Sequence, residues 1–213
     1  MAVIEGGTTG ALAEVEAASL AQRVTLRPLS TLVWNSIGAA SGALTGVAAG
    51  GPIFSFRNIS ANLILVRRVG IGFMTTTAFT VAQPLDFALF AARAFTVSDS
   101  AGTPIVQTGS QNKHRTSLAT PTSLDVRISA AAALTAGTRT LDTVSLGMTA
   151  AMAGGLATGL SPMQDNLLQH TADDYPLVLA QNEGFIITNG IAMGAAGVIK
   201  AYVNFEYAEI AAF

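Results

Sequence analysis

The chain contains no cysteine among its 213 residues. Disulfides, thiolate metal sites and redox chemistry through the protein are thereby excluded. Charge is scarce too: Asp, Glu, Lys and Arg make up 11% of the chain, where about a quarter is ordinary for a soluble domain. Half of the residues are hydrophobic, so a monomer has little charge with which to clothe its surface. Aromatic residues are only 7% of the chain, a thin supply for a carbohydrate-stacking cleft. The formal charge of -2 lacks the basic excess of a dedicated nucleic-acid binder, and no specific nucleic-acid partner is expected.

A chain so poor in charge needs cover from lipid or from other protein subunits. Lipid is the first possibility to weigh, because 29 consecutive residues, 28–56, carry no charge and Gly38, Gly42, Gly46 and Gly50 recur at every fourth position within them. That spacing is the small-xxx-small pattern of packed membrane helices. Yet in residues 36–51 only Ile37, Leu44 and Val47 are bulky and apolar, and Gly50-Gly51-Pro52 ends any helix. Transfer of such a segment into lipid releases little free energy. No membrane span is expected, and subunit contacts are the better explanation. Of the basic residues only Lys113 and Lys200 are lysines; a preponderance of arginine suits planar, bidentate contacts at an interface. The N-terminal "MAVIEGGTTG" shows no basic segment leading into an apolar one, which predicts synthesis without a secretory signal, in a cytoplasm.

Two textures divide the chain. Residues 1–51 read as an arm of low complexity, with a short helix over 10–23 that sets Leu12, Val15 and Leu20 on one face, and an extended stretch over 24–35 enforced by Pro28. From residue 52 to 213, short runs of β-branched and aromatic residues alternate with turn residues, which is the pattern of an all-β domain. About eight such runs predict a two-sheet β-sandwich, jelly-roll-like, carrying an extended N-terminal arm. Within it, residues 61–77 form a long strand with Leu63, Leu65, Val69, Ile71 and Phe73 on one side and a bulge near Arg67-Arg68. Residues 85–97 read as another, with Phe87, Leu89, Ala91, Phe95 and Val97 on one side, or else as a helix, which the alanines and leucines there favour; Pro84 before it and Thr96-Val97 at its end tip the reading to a strand. The last strand, 197–210, turns Ile199, Ala201, Val203, Phe205 and Tyr207 one way and Lys200, Tyr202, Asn204 and Glu206 the other. "MGAAG" before it reads as a hairpin turn.

Chemistry is sparse. His114 and His170 lie in polar loops, and "QHTADDYP" offers His170, Asp173 and Asp174, with Glu183, as ligands for a hard cation, although a solvated turn explains them better. No Gly-x-Ser-x-Gly elbow and no Walker or dinucleotide loop is present. "QNKHRTS" forms a local basic cluster that Arg67 and Arg68 extend, and "NIS" at 58–60 matches a glycosylation sequon by coincidence. Trp34, Tyr175 or Tyr202 stacking on sugar is the alternative that a carbohydrate-binding or hydrolytic sandwich requires. No catalytic residue, cofactor or metal is expected, and the chain reads as a non-enzyme.

Several segments carry a shared texture: "GPIFSFRN" (51–58), the "NKHRTS", "LDVRIS" and "LTAGTRTLD" series (112–142), "PLVLAQNEGFIITN" (176–189) and "VNFEYAEIAAF" (203–213). Through them residues 24–213 resemble a widespread group of bacteriophage virion structural proteins. The resemblance implies a non-enzymatic part of a virus particle, made in the host cytoplasm and ending in the virion. A capsid cement or decoration protein, trimeric and bound to the major capsid protein, fits the small uncharged arm; a head or tail appendage is the alternative. Leu20, Arg23, Arg27, Trp34, Gly38, Gly42, Gly46, Arg67, Arg68, Lys113 and Arg115 are the expected contacts to subunits or capsid.

Overall fold

The computed structural model describes residues 34–107, 113–114, 124–154, 163–171 and 176–211, together with two short strands at 5–6 and 11–12. In chain order the strands are β1 (Glu5–Gly6), β2 (Ala11–Leu12), β3 (Asn35–Ala40), β4 (Gly51–Asn58), β5 (Leu63–Thr77), β6 (Gln83–Arg93), β7 (Gly102–Pro104), β8 (Leu124–Ser129), β9 (Thr140–Leu141), β10 (Gly147–Ala153), β11 (Met163–Gln169), β12 (Leu177–Leu179), β13 (Gly184–Asn189) and β14 (Val198–Ile210). No helix occurs among the described residues. The chain divides into two units, Met1–Leu32 and Val33–Phe213. In the first, β1 and β2 pair antiparallel.

The second unit is an all-β sandwich of two antiparallel sheets. One runs β10-β6-β13-β4-β8-β7 with β9 also on β6, the other β11-β5-β14-β3 with β12 also on β5. Its eight principal strands are β3, β4, β5, β6, β10, β11, β13 and β14. Successive members alternate between the sheets except β6 and β10, which pair within one, and the last strand, β14, lies beside the first, β3. That order is the double Greek key of a jelly roll. The segment from β7 to β9 is inserted between β6 and β10, and β8 extends the sheet beyond β4.

The aromatic centre of the core joins the sheets. Phe56 stacks on Phe185 at 5.1 Å within one sheet, and Phe205 of the other meets both edge-on at 5.2 and 5.5 Å. Edge-to-face rings add to the burial of their apolar area. The last strand alternates as its sequence requires: Ile199, Ala201, Val203, Phe205 and Tyr207 are buried, while Lys200 and Tyr202 are exposed.

The bulge in β5 falls on Arg67, because the pairing passes from Glu206 with Arg68 directly to Tyr207 with Val66. It also switches the face of the strand. Beyond it Val69, Ile71 and Phe73 enter the core as expected, but before it Ile64 and Val66 join the cluster between the sheets, while Leu65, buried as well at 5% exposure, does not. β6 sends Leu85, Phe87 and Leu89 inward and ends at Arg93, where Ala94 takes a positive φ of 48°. Phe95 therefore leaves the strand and packs with Ala92 and Ile186 in a second small cluster. "MGAAG" is not a hairpin turn: β13 and β14 belong to different sheets, so the segment carries the chain across the sandwich.

The boundary expected at 51/52 lies too far along the chain. β3 is a full member of the smaller sheet, and Ile37, Leu44 and Val47 are 1%, 0% and 1% exposed. Those are the three bulky apolar residues of the glycine-alanine tract, and all three enter the core. The small residues between them let backbones approach. The Gly42 amide donates to the Ser129 carbonyl at 3.0 Å, and a Cβ on Gly42 would run into the Ala130 carbonyl oxygen. Gly46 takes a left-handed turn at φ 58°. The helix expected over 10–23 begins instead as β2 at 11–12, and the rest of that segment lies outside the described residues.

Candidate interaction surface

The bulge at Arg67 gathers several of the expected contact residues at one end of the smaller sheet. Arg67 places its guanidinium 4.6 Å over the Trp34 ring, and its Nε donates to Glu206 at 3.0 Å. A second guanidinium nitrogen, Nη2, donates to the same carboxylate oxygen. Arg68 donates from Nε to Asn166 Oδ1 at 2.9 Å. Lys113 forms a bridge with Asn35, the His114 amide donates to the Trp34 carbonyl at 2.7 Å, and Ser36 Oγ lies 2.6 Å from His114 Nε2. The other histidine arrives here too, its amide donating to the Arg67 carbonyl at 2.9 Å. Gly38 lies one row along the same face, opposite Asn204, which in turn faces Gly70 and so Asn166.

Arg67 is neutralised by Glu206 and flattened on an indole. Arg68 is tied through Nε to an amide oxygen and keeps its charge. The other described arginines also bond within the chain. Arg93 donates to Glu183 at 2.9 Å and to Asp142, bonds that together raise its pKa against the burial that lowers it. Arg127 pairs with Asp125, and Arg57 reaches Ser98 and Asn182. Arginine read as interface chemistry is, at these positions, internal bracing.

Gly42 and Gly46 lie apart from this group, at the closure onto Ala130 and in the turn that follows. Leu20, Arg23, Arg27 and Arg115 lie outside the described residues, as do Asp173, Asp174 and Tyr175. Of the cation set only His170 and Glu183 are described: the His170 amide is bonded to Arg67 beside the smaller sheet, whereas the Glu183 carboxylate holds Arg93 and the Ala180 amide at the end of the larger sheet. Among the described residues no cluster of three His, Asp or Glu side chains is placed to hold a metal. Asn58 is fully buried, with its Nδ2 committed to the Asn62 and Leu179 carbonyls at 2.8 and 3.1 Å, so the sequon is unavailable. No helix among the described residues is long and apolar enough to cross a membrane.

Two features escape a reading of the sequence. Asp99 and Arg139 form a buried ion pair, reinforced by the Gly137 amide on Asp99 Oδ1 at 2.8 Å. Burial holds the Arg139 pKa below its ordinary value. Arg139 and Arg57 both lie against the Phe95 ring, at 5.1 and 5.9 Å. Forty residues separate the acid from its base, and no local pattern marks either.

The second feature is apolar. On the outer face of β10 and in the segment before it, Val144, Leu146, Met148 and Met152 are 75%, 40%, 65% and 62% exposed. Residues 149–154 are small apart from Met152, so nothing in the sequence sets this face apart. Exposed apolar strips of this kind mark surfaces that other molecules cover.

Fold and surface together define a jelly-roll sandwich whose described arginines each bond within the chain and which exposes an apolar strip along β10. No protein-family model matches the chain, and no curated protein matches it significantly.

Proposed function

We propose that the chain is a non-enzymatic structural protein of a bacteriophage particle, a cement or decoration protein that binds the major capsid shell as a trimer. The observation that carries this reading is the exposed strip of Val144, Leu146, Met148 and Met152 on a chain with 11% charged residues. Such a surface gains most from burial against protein. The jelly roll supplies a rigid body for it, and the likeness of residues 24–213 to virion structural proteins supports the particle as its destination. Synthesis takes place in the host cytoplasm.

The test is addition of the purified chain to emptied or expanded shells. Stoichiometric binding and a raised shell melting temperature are expected; absence of binding sinks the cement role. A map of the particle then separates the cement from a head or tail appendage, because a cement follows the capsid lattice and an appendage follows one vertex.

A further inference from the structure

Two patches on the outer faces of the sandwich match each other in charge and relief. On the larger sheet, β6 sends Leu85, Phe87 and Leu89 to the core, which turns Asp86 outward. The register sets Asp86 opposite the small Ala150 of β10, between the rows of the exposed Met148 and Met152. A Cβ on Gly190 would overlap the Asp86 carboxylate, so the side chain lies against that glycine, and its Oδ1 is shielded from solvent without a hydrogen bond. Every other described carboxylate of the sandwich has a donor: Arg139 for Asp99, Arg127 for Asp125, Arg93 for Asp142 and Glu183, Thr149 for Asp165, Arg67 for Glu206, and Ser60 with Asn62 for Glu209. A carboxylate oxygen shielded without a donor is unfavourable, and an incoming cation relieves it.

On the smaller sheet, the outward side of β14 carries Lys200 and Tyr202, both exposed, and sets Lys200 opposite the exposed Met74 of β5. Tyr202 stands between Ala40 of β3 and Gly72 of β5, so no bulky neighbour rises beside its ring in that row. Four described cations of the sandwich lack an acidic partner, namely Arg57, Arg68, Lys113 and Lys200. Lys200 alone among them is exposed, and it makes no hydrogen bond to the described residues.

We propose that these two patches bind each other between copies of the chain, with Lys200 of one copy on Asp86 of the next. The inference rests on the reading of the chain as an assembly subunit and names what covers the apolar strip. Like patches repel, since a two-fold contact centred on either would bring together two Asp86 carboxylates or two Lys200 ammonium groups. Unlike patches fit. Each presents one charge among apolar side chains, and the rows on each face repeat about every 7 Å along a strand. With Lys200 on Asp86, Met74 enters the gap that Ala150 leaves between Met148 and Met152, and Tyr202 lies on a methionine row, a contact that thioether sulfur favours. The lysine stem adds its own apolar length to the burial. The outer faces of two packed sheets are opposite sides of a sandwich, so the contact runs head to tail and adds copies in series rather than closing three into a ring. It links neighbouring copies beyond the trimer.

The test is sedimentation equilibrium of the full chain with charge reversals. The wild type should show a mean mass that keeps rising with concentration past that of a trimer. Asp86→Lys and Lys200→Asp should each weaken this association about 30-fold or more. Mixed in equal amounts, the two variants should recover it, because each then meets the opposite charge on the other. Met148→Lys should weaken it as well, with melting curves unchanged because Met148 is a surface residue. A wild type no larger than a trimer at about 0.1 mM, single variants that associate as the wild type does, or a mixture that stays apart would each overturn the proposal. A chain that assembles by this charge-matched contact but ignores capsid shells overturns the cement role alone.

Discussion

Arg67 is held between Trp34 and Glu206, its guanidinium 4.6 Å from the indole centroid and its Nε 3.0 Å from the carboxylate. The bulge makes this possible, because a residue without a cross-strand partner is free to bend toward the edge of the sheet. Arg67→Ala should destabilise the sandwich by about 1–2 kcal/mol, combining a cation-π contact with a partly exposed ion pair. Arg67→Lys should lose about half of that, since an ammonium keeps the charge and loses the planar fork. Urea unfolding measures both, and a double-mutant cycle with Trp34→Ala isolates the ring contact. Coupling indistinguishable from zero would make the stacking incidental.

The bulge was legible in the sequence because two adjacent arginines interrupt an apolar alternation; the resulting change of face was not. A one-residue insertion inverts the faces along the rest of a strand, so Ile64 and Val66 took the places between the sheets that the alternation assigned to Leu63 and Leu65. The final strand was fully legible, as its alternation runs unbroken from Ile199 to Tyr207. The glycine-alanine tract was misjudged because its apolar residues are few. Few is sufficient when Ile37, Leu44 and Val47 all point inward and the rest only need to be thin. Pairings such as Asp99 with Arg139 depend on the topology, which strand composition does not encode.

Two glycines of that tract should respond in opposite ways to alanine. Gly38 has open space where a Cβ would stand, whereas Gly42 has the Ala130 backbone there. Gly38→Ala should leave stability unchanged within about 0.5 kcal/mol or improve it slightly through lost chain entropy in the unfolded state. Gly42→Ala should cost about 1–3 kcal/mol, because β3 and β8 must part to admit the methyl group. Equal melting temperatures for the two variants would contradict the close approach at Ala130.

The buried pair of Asp99 and Arg139 should behave as a unit. Arg139→Ala leaves Asp99 buried and uncompensated, and a loss of about 3–5 kcal/mol is expected. Replacing both partners, as Asp99→Leu with Arg139→Met, should cost clearly less than the single change, since well-packed apolar residues substitute for a buried pair at little net expense. Denaturant titration of the three proteins checks the order. A double variant less stable than Arg139→Ala would show that the ion pair itself stabilises the loops around Phe95.

Tyr207 gives the fold a predictable response to alkali. Its hydroxyl is buried without a hydrogen-bond partner, and burial, then the charge of Glu209, raises its pKa well above the ordinary tyrosine value. Unfolding returns the phenol to about pH 10. Above that pH the unfolded chain releases a proton that the folded chain retains, so the unfolded state binds fewer protons and stability falls as pH rises. Below it the contribution is complete and flat. Tyr207→Phe removes the titrating group together with a hydroxyl that satisfies nothing, so the variant should match or slightly exceed the wild type at about pH 8. From about pH 10 upward the two should diverge, with the phenylalanine variant losing less. Urea unfolding across that range decides it, and parallel curves would remove Tyr207 as the source of the alkaline slope.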